Sequence, residues 1–303
     1  MAGETGPIEA TKTLAMVIAG LFSLAIFMGL EIIFLIFTTF RRRNGLYFWS
    51  MLISAMGIIL HTLCAFLRYF SLAPNIPMCV LICIGWYAMV TGQSVVLYSR
   101  LHLVTTVDRD YRWILYMIVF NFCALHIPTT ILFFGSNLGV KSFVKPFNIY
   151  ERFQLTAFTV QETIISALYI WETLTELRPV LILKGSCGQR VIRNVILVNI
   201  IAILLDASLL VVEFTNHFPV QTTYKPVVYA LKLKMEFMVL NTLLAVIRKD
   251  PPTIEAHEMR EENISSMPGS KWSSNNRASE MDMSHIPSSS ESSVPIRFNR
   301  ESV

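Results

Sequence analysis

The stretch "LAMVIAGLFSLAIFMGLEIIFLIFTTF" at residues 14–40 is an almost unbroken apolar run, and "RRR" at residues 41–43 follows it directly. A helix of about 20 apolar residues spans the roughly 30 Å of a bilayer's hydrocarbon core. The run is much longer than the apolar core of a signal peptide. It therefore predicts a transmembrane helix that acts as a reverse signal anchor, with the arginines at its inner end.

Six further apolar runs of similar length follow along the chain. Hydrophobic residues make up 53% of the sequence and charged residues only 15%, whereas a soluble domain carries about 25% charged residues. A lipid-exposed span must satisfy its own backbone hydrogen bonds, so these runs are expected to be helices. The sequence predicts an all-α bundle of seven transmembrane helices, at residues 14–40, 46–70, 77–104, 113–135, 152–177, 194–218 and 226–247.

The distribution of Lys and Arg predicts the orientation of the bundle. The alternate loops that begin with 41–43 hold twelve Lys and Arg residues, and the opposite set holds five. Positive loops stay in the cytoplasm, so we expect the N-terminus outside and the C-terminus inside, at the plasma membrane. Residues 1–13 then form a short exoplasmic segment and residues 14–248 the membrane domain. Residues 249–303 contain thirteen serines and are predicted to be a disordered cytoplasmic tail.

The stretch "YALKLKMEF" at residues 229–237 places two lysines and a glutamate inside the seventh predicted span. Ionisable groups within a span are costly and face the bundle interior, usually with partners. Lys232 and Glu236 are four residues apart on one helix face, so Lys232 is predicted to pair with Glu236 or with Asp206. The candidates for a polar ligand pocket in the outer half of helices five to seven are Glu162, Asp206, Glu213, Lys232, Lys234 and Glu236. The alternative is a buried salt-bridge network without a ligand.

The third predicted span carries a second set of polar residues. Gly92 permits close helix packing, and its polar neighbours can hydrogen-bond across helices. Arg100, near the inner end, is predicted to pair with Glu172 or Glu176 of helix five. Such a pair would be an inner latch between two states or a static contact.

Enzymatic chemistry finds no support in the sequence. We identify no glycine-rich phosphate loop and no nucleophile elbow, and no Cys, His and Asp residues converge at one depth. We therefore expect neither an enzyme nor a cofactor or metal, and we expect the lipid bilayer rather than nucleic acid as the main partner.

Three stretches resemble a family of fungal seven-span integral membrane proteins that are grouped with G-protein-coupled-receptor-like proteins. They are "RRRNGLYFWSMLISAMGIILH" (41–61), "TGQSVVLYSRLHLV" (91–104) and "YALKLKMEFMVLN" (229–241). The resemblance implies a seven-helix fold and a receptor-like role, but no particular ligand. The seventh span reads "VLNTLLAVIR" and lacks the Asn-Pro-x-x-Tyr pattern of animal receptors.

These observations favour a receptor-like sensor of a small ligand, with inner loops and tail that contact a cytoplasmic signalling partner. The first alternative is a protein that translocates an ion or solute along the intramembrane charges. The second is a retinal pigment, in which Lys232 or Lys234 forms a Schiff base and Asp206 or Glu162 balances its charge.

Overall fold

Seven long helices run through the residues that the computed structural model describes, which are 11–40, 45–105, 111–138, 140–177, 186–215 and 218–248. The predicted tail lies outside these residues. The helices are α1 (Lys12–Thr39), α2 (Leu46–Tyr69), α3 (Asn75–Val104), α4 (Arg112–Asn137), α5 (Val144–Glu172), α6 (Ser186–Phe214) and α7 (Phe218–Arg248).

Three helices begin earlier than the apolar runs predict. α5, α6 and α7 each start eight residues before the predicted span, and Pro226 lies inside α7 instead of at its start. Hydropathy indicates which residues can contact lipid, but it does not define where a helix begins. The backbone hydrogen bonds of a helix can include polar residues that precede the apolar run. The extra turns carry polar side chains, including that of Lys225, which forms ion pairs with residues of α5 and α6.

α4 contains a π-helical turn at Phe122–His126, between α-helical segments Arg112–Asn121 and Ile127–Asn137. Pro128 lies two residues after the turn and removes one backbone donor from the helix. A π turn shifts the hydrogen-bond register by one residue and re-aims the neighbouring side chains. Here it places His126 in the bundle interior.

Consecutive helices pack against one another, and α7 closes the bundle against α1 while also contacting α2 and α3. We call the end at which α1, α3, α5 and α7 begin the N-terminal face, and the opposite end the C-terminal face. Both α3 and α7 direct charged side chains into the interior of the bundle, among them Arg100 of α3 and Lys232 of α7.

Glycines bring α2 and α3 into close contact. A Cβ on Gly57 would lie 2.7 Å from the backbone nitrogen of Met89, and a Cβ on Gly85 would lie 2.6 Å from that of His61. Gly92 approaches Ser54 in the same way, because a Cβ added to Gly92 would lie 2.9 Å from the Ser54 Cβ. The predicted packing role of Gly92 is thus confirmed, and it belongs to a seam that runs along both helices.

Five of the described helices are long and apolar enough to cross a membrane: Lys12–Thr39, Leu46–Tyr69, Asn75–His102, Arg112–Asn137 and Gln189–Phe214. Their outer surfaces expose large apolar side chains such as Phe27, Phe34 and Phe120. Several charged side chains, including those of Arg100 and Asp206, are buried inside the bundle. This distribution is that of an all-α membrane protein. α5 and α7 are equally long but carry more polar residues.

Candidate functional site

A line of ionisable residues follows one face of α7 into the bundle. Lys225, Lys232 and Glu236 are separated by seven and four residues, which places them on the same side of a helix. The spacings correspond to about 10 Å and about 6 Å along the helix axis. Each of the three residues pairs with side chains of other helices, so the line divides into three levels.

At the middle level, Lys232 lies between two carboxylates. Its Nζ donates to Asp206 Oδ1 of α6 at 2.7 Å and also to Glu162 Oε2 of α5. All three side chains are at most 5% exposed, and the Tyr229 ring centroid is 5.4 Å from the ammonium. The predicted pairing of Lys232 with Asp206 is present, and Glu162 is a second partner.

At the level nearer the C-terminal face, Glu236 forms a buried ion pair with Arg100 of α3. The Arg100 guanidinium also lies over the Tyr169 ring, 4.3 Å from its centroid. The predicted pairing of Lys232 with Glu236 is therefore wrong. Glu236 faces α3, which packs against α7. Its charge is balanced there by Arg100, so it does not require Lys232 of its own helix as a partner.

The predicted inner latch has a different partner from the expected one. Arg100 pairs with Glu236 of α7, not with Glu172 of α5, because it is aimed at the centre of the bundle. Glu172 instead accepts a hydrogen bond from the Tyr111 hydroxyl. The side chain of Glu176 lies outside the described residues.

At the level nearest the N-terminal face, Lys225 binds two acids. Its Nζ is 2.6 Å from Glu151 Oε1 of α5 and 3.0 Å from Glu213 Oε2 of α6. Sequence reasoning placed Lys225 in a loop and did not select Glu151, because the helix extensions were not foreseen. Glu213 was a candidate, and the structure brings it to this cluster.

Lys234 faces away from this line and reaches α1. Its Nζ is 2.7 Å from both carboxylate oxygens of Glu31, and both side chains are about one-third exposed, at 31% and 33%. Sequence reasoning did not identify Glu31 as the partner of Lys234. A single acid inside an otherwise apolar run was the available signal.

A chamber of about 90 Å³ lies between α2, α3, α4, α5 and α7, toward the N-terminal face. Polar groups from Arg68, Glu151, Gln154 and Lys225 reach its lining. Six aromatic side chains also line it, those of Tyr69, Trp86, Phe133, Phe147, Phe158 and Tyr229.

The predicted pocket residues do not line this chamber. The chamber wall contains none of Glu162, Asp206, Glu213, Lys232, Lys234 and Glu236. Tyr229 connects the two regions, since it lines the chamber and also contacts Lys232. The aromatic lining was not predicted, because an aromatic residue within an apolar run does not show which aromatic residues of other helices lie close to it.

His126 joins the chamber wall to the π turn of α4. Its Nε2 is 3.0 Å from the Thr91 hydroxyl, and its Nδ1 is 3.3 Å from Gln154 Nε2. Four aromatic rings surround the imidazole, those of Trp86, Tyr87, Phe122 and Phe158. The polar end of Gln154 is thereby fixed at the edge of the chamber.

The helices that carry the chamber and the charged line all fall within one family match. A family model described as a domain of unknown function, DUF7703, matches residues 5–255, which is most of the sequence and includes every described helix. The chain belongs to the DUF7703 family. Neither a curated protein nor a solved structure matches it.

The geometry of this DUF7703 member defines two connected regions with different chemistry. The chamber offers aromatic surfaces and a few polar groups, which is the usual lining of a small-molecule site. The charged line offers three levels of buried ion pairs that link α7 to α3, α5 and α6. Lys232 is held between two carboxylates, which is unlike the neutral amine in an apolar pocket that Schiff-base formation requires.

Proposed function

We propose that this DUF7703 protein is a seven-span, receptor-like sensor of a small molecule, with its N-terminal face outside the cell and its C-terminal face in the cytoplasm. The observation that carries the proposal is the aromatic chamber, whose wall includes three residues of α7, Thr222, Lys225 and Tyr229. The same helix continues to the Glu236–Arg100 pair near the opposite face.

The proposal requires α5 and α7 to cross the membrane together with the five more apolar helices. At 29 and 31 residues both exceed the about 20 residues that a span needs. Their charges are compatible with a span because they pair within the bundle, as Lys232 does with Glu162 and Asp206. Buried, paired charges in a span are the arrangement that the bilayer tolerates.

At about 90 Å³, the chamber favours a compact ligand with a small apolar body and one polar group. The rings supply apolar contact, while Gln154 and Lys225 supply hydrogen-bond donors at one side. A ligand that contacts Lys225 or Tyr229 would compete with the contacts that these residues make to Glu151, Glu213 and Lys232. Its effect would reach the C-terminal face through α7, where cytoplasmic loops and the tail would contact a signalling partner.

A chamber-filling substitution tests this proposal. Ala65 lines the chamber and is buried, so Ala65→Leu should remove space without touching an ion pair. Ala207 is exposed on α6, and Ala207→Leu is the matched control.

The readout is native mass spectrometry of protein purified from its own host membranes in lipid nanodiscs. We expect a small-molecule adduct with the wild-type chain and with Ala207→Leu, and its loss with Ala65→Leu. A wild-type chain without an adduct, or an adduct that Ala65→Leu retains, would contradict the proposal.

The second candidate function is translocation of an ion or solute. Its specific support is the series of charged levels along α7, which extends through more than one level of the bundle. Reconstitution in liposomes with an internal pH-sensitive dye tests this alternative. A protein-dependent flux that Lys232→Met abolishes would favour translocation over sensing.

A further inference from the structure

The middle level of the charged line has an unequal number of charges. One ammonium, Lys232, faces two carboxylates, Glu162 and Asp206, and all three side chains are almost fully buried. If every group were ionised, the cluster would hold one surplus negative charge inside a membrane-spanning bundle. The level nearer the C-terminal face differs, because one Arg100 there faces one Glu236.

In the part of the chain that the structure describes, only one of the two carboxylate oxygens of Glu162 is hydrogen-bonded. Glu162 Oε2 accepts from Lys232, but Glu162 Oε1 is buried and has no hydrogen-bond partner among the described residues. An ionised carboxylate oxygen without a donor is far more costly in a buried site than a neutral one. Glu162 is therefore the acid for which the neutral, protonated form fits the surroundings.

The titratable groups around Glu162 do not balance this surplus. Its electrostatic neighbours are Lys232 and Asp206, and Tyr229 is the other titratable group that both acids approach. Tyr229 is neutral in its ordinary form, so no second cation compensates the pair of acids within the described part of the chain.

From this geometry we infer that the Glu162–Lys232–Asp206 triad is a binding site for one exchangeable proton, carried by Glu162. In the loaded state the triad is neutral overall, with Lys232 and Asp206 charged. Release breaks the O–H bond of the Glu162 carboxylic acid, and the proton leaves to water. The chamber offers a nearby place for that water, because Tyr229 lies between it and Lys232.

Infrared difference spectroscopy of the full chain in lipid nanodiscs tests the inference. We expect a carbonyl band of a protonated carboxylic acid in the wild-type spectrum at neutral pH, and its loss in Glu162→Gln. Asp206→Asn should also remove the band, because one acid then remains to balance one ammonium. Glu31→Gln is the control and should retain it, since Glu31 and Lys234 pair one to one.

Lys232→Met provides a test in the opposite direction. Without the ammonium, both acids should become protonated, and the intensity of the carboxylic acid band should rise above the wild-type level. An intensity that stays at the wild-type level would show that Lys232 does not control the protonation of the two acids and would contradict the inference. A wild-type band that persists in both Glu162→Gln and Asp206→Asn, or the absence of any band that these variants change, would overturn the inference.

Thermal stability separates the inference from a simple salt bridge. An amide at position 162 resembles the protonated acid, so Glu162→Gln should unfold at the same temperature as the wild-type chain at neutral pH. If Glu162 is ionised instead, this variant removes a charged partner of Lys232, and a lowered unfolding temperature would count against the proton site. These measurements involve no ligand of the chamber, so they stand apart from the test of sensing.

Discussion

At the scale of residues, the buried charges of α7 are organised by their partners on other helices. Lys225 and Lys232 each contact one acid of α5 and one of α6, while Glu236 contacts α3. Removing one member of a buried pair leaves an uncompensated charge, which is costlier than losing the attraction alone. Single substitutions and matched double substitutions should therefore differ strongly.

Lys232→Met is expected to destabilise the protein by about 3–5 kcal/mol, because the ionised Asp206 loses its cation. Adding Asp206→Asn should recover part of this loss, since both residues belong to one triad. Adding Glu236→Gln should recover none, because Glu236 pairs with Arg100. Unfolding temperatures of the three variants in one detergent give the answer. Equal recovery by both second substitutions would show that the assigned partners are wrong.

The Arg100–Glu236 pair gives a second residue-level prediction. Arg100→Met or Glu236→Met alone should each leave a buried charge and lower stability by about 3–5 kcal/mol. The double variant should be less destabilised than the sum of the two, because no charge is then left unpaired. A thermal double-mutant cycle measures this coupling. Strictly additive losses would argue against a direct pair.

The sequence allowed some of these contacts to be predicted and not others. Depth along the helices placed Asp206 near Lys232, and the intramembrane location required partners for both. The partner of Glu236 was missed because the spacing of Lys232 and Glu236 suggests a local pair. The true choice depends on how α7 is rotated against α3, which no single-helix pattern reports.

At the scale of helices, the α2–α3 seam depends on the absence of side chains. A Cβ added to Gly57 would meet backbone atoms of α3, and one added to Gly85 would meet backbone atoms of α2. Backbone atoms within two helices cannot move aside as the end of a flexible side chain can. The seam is therefore sensitive to a single methyl group.

Gly57→Ala and Gly85→Ala should each destabilise the protein, by about 1–3 kcal/mol, because the helices must separate to admit the methyl group. Gly20→Ala is the matched control. Within the described part of the chain, a Cβ added to Gly20 would meet no atom within 4 Å, so this change should be neutral or stabilise α1 by up to about 1 kcal/mol. Thermal unfolding in nanodiscs measures all three. Equal effects at positions 20 and 57 would contradict the seam.

At the scale of the whole molecule, the apolar runs predicted the number of long helices among the described residues. Hydropathy supports five of them as spans on composition alone. The chamber was not predictable, because its walls combine residues from five helices. Convergence of that kind depends on tilt and rotation, which are set by packing between helices and not by the pattern within one.

Orientation in the membrane is the prediction that belongs to this scale. Because the two alternate sets of loops predicted from the sequence hold twelve and five Lys and Arg residues, the N-terminus should be exoplasmic and the C-terminus cytoplasmic. Epitope tags at each end, stained in intact and permeabilised cells, provide the measurement. The N-terminal tag should be stained in both, and the C-terminal tag only after permeabilisation. Staining of the C-terminal tag in intact cells would refute the orientation.

The glycine seam also determines which part of the molecule can move. The backbones of α2 and α3 are in close contact along the seam, so we expect the two helices to move together as one rigid unit. The contacts of α7 with α5 and α6 include charged side chains, and a lysine there can exchange one acid for another without opening a void. Distances between spin labels on α2 and α3 should therefore stay constant when the conditions change. If the bundle rearranges, the change should be seen in the distances between labels on α2 and α6.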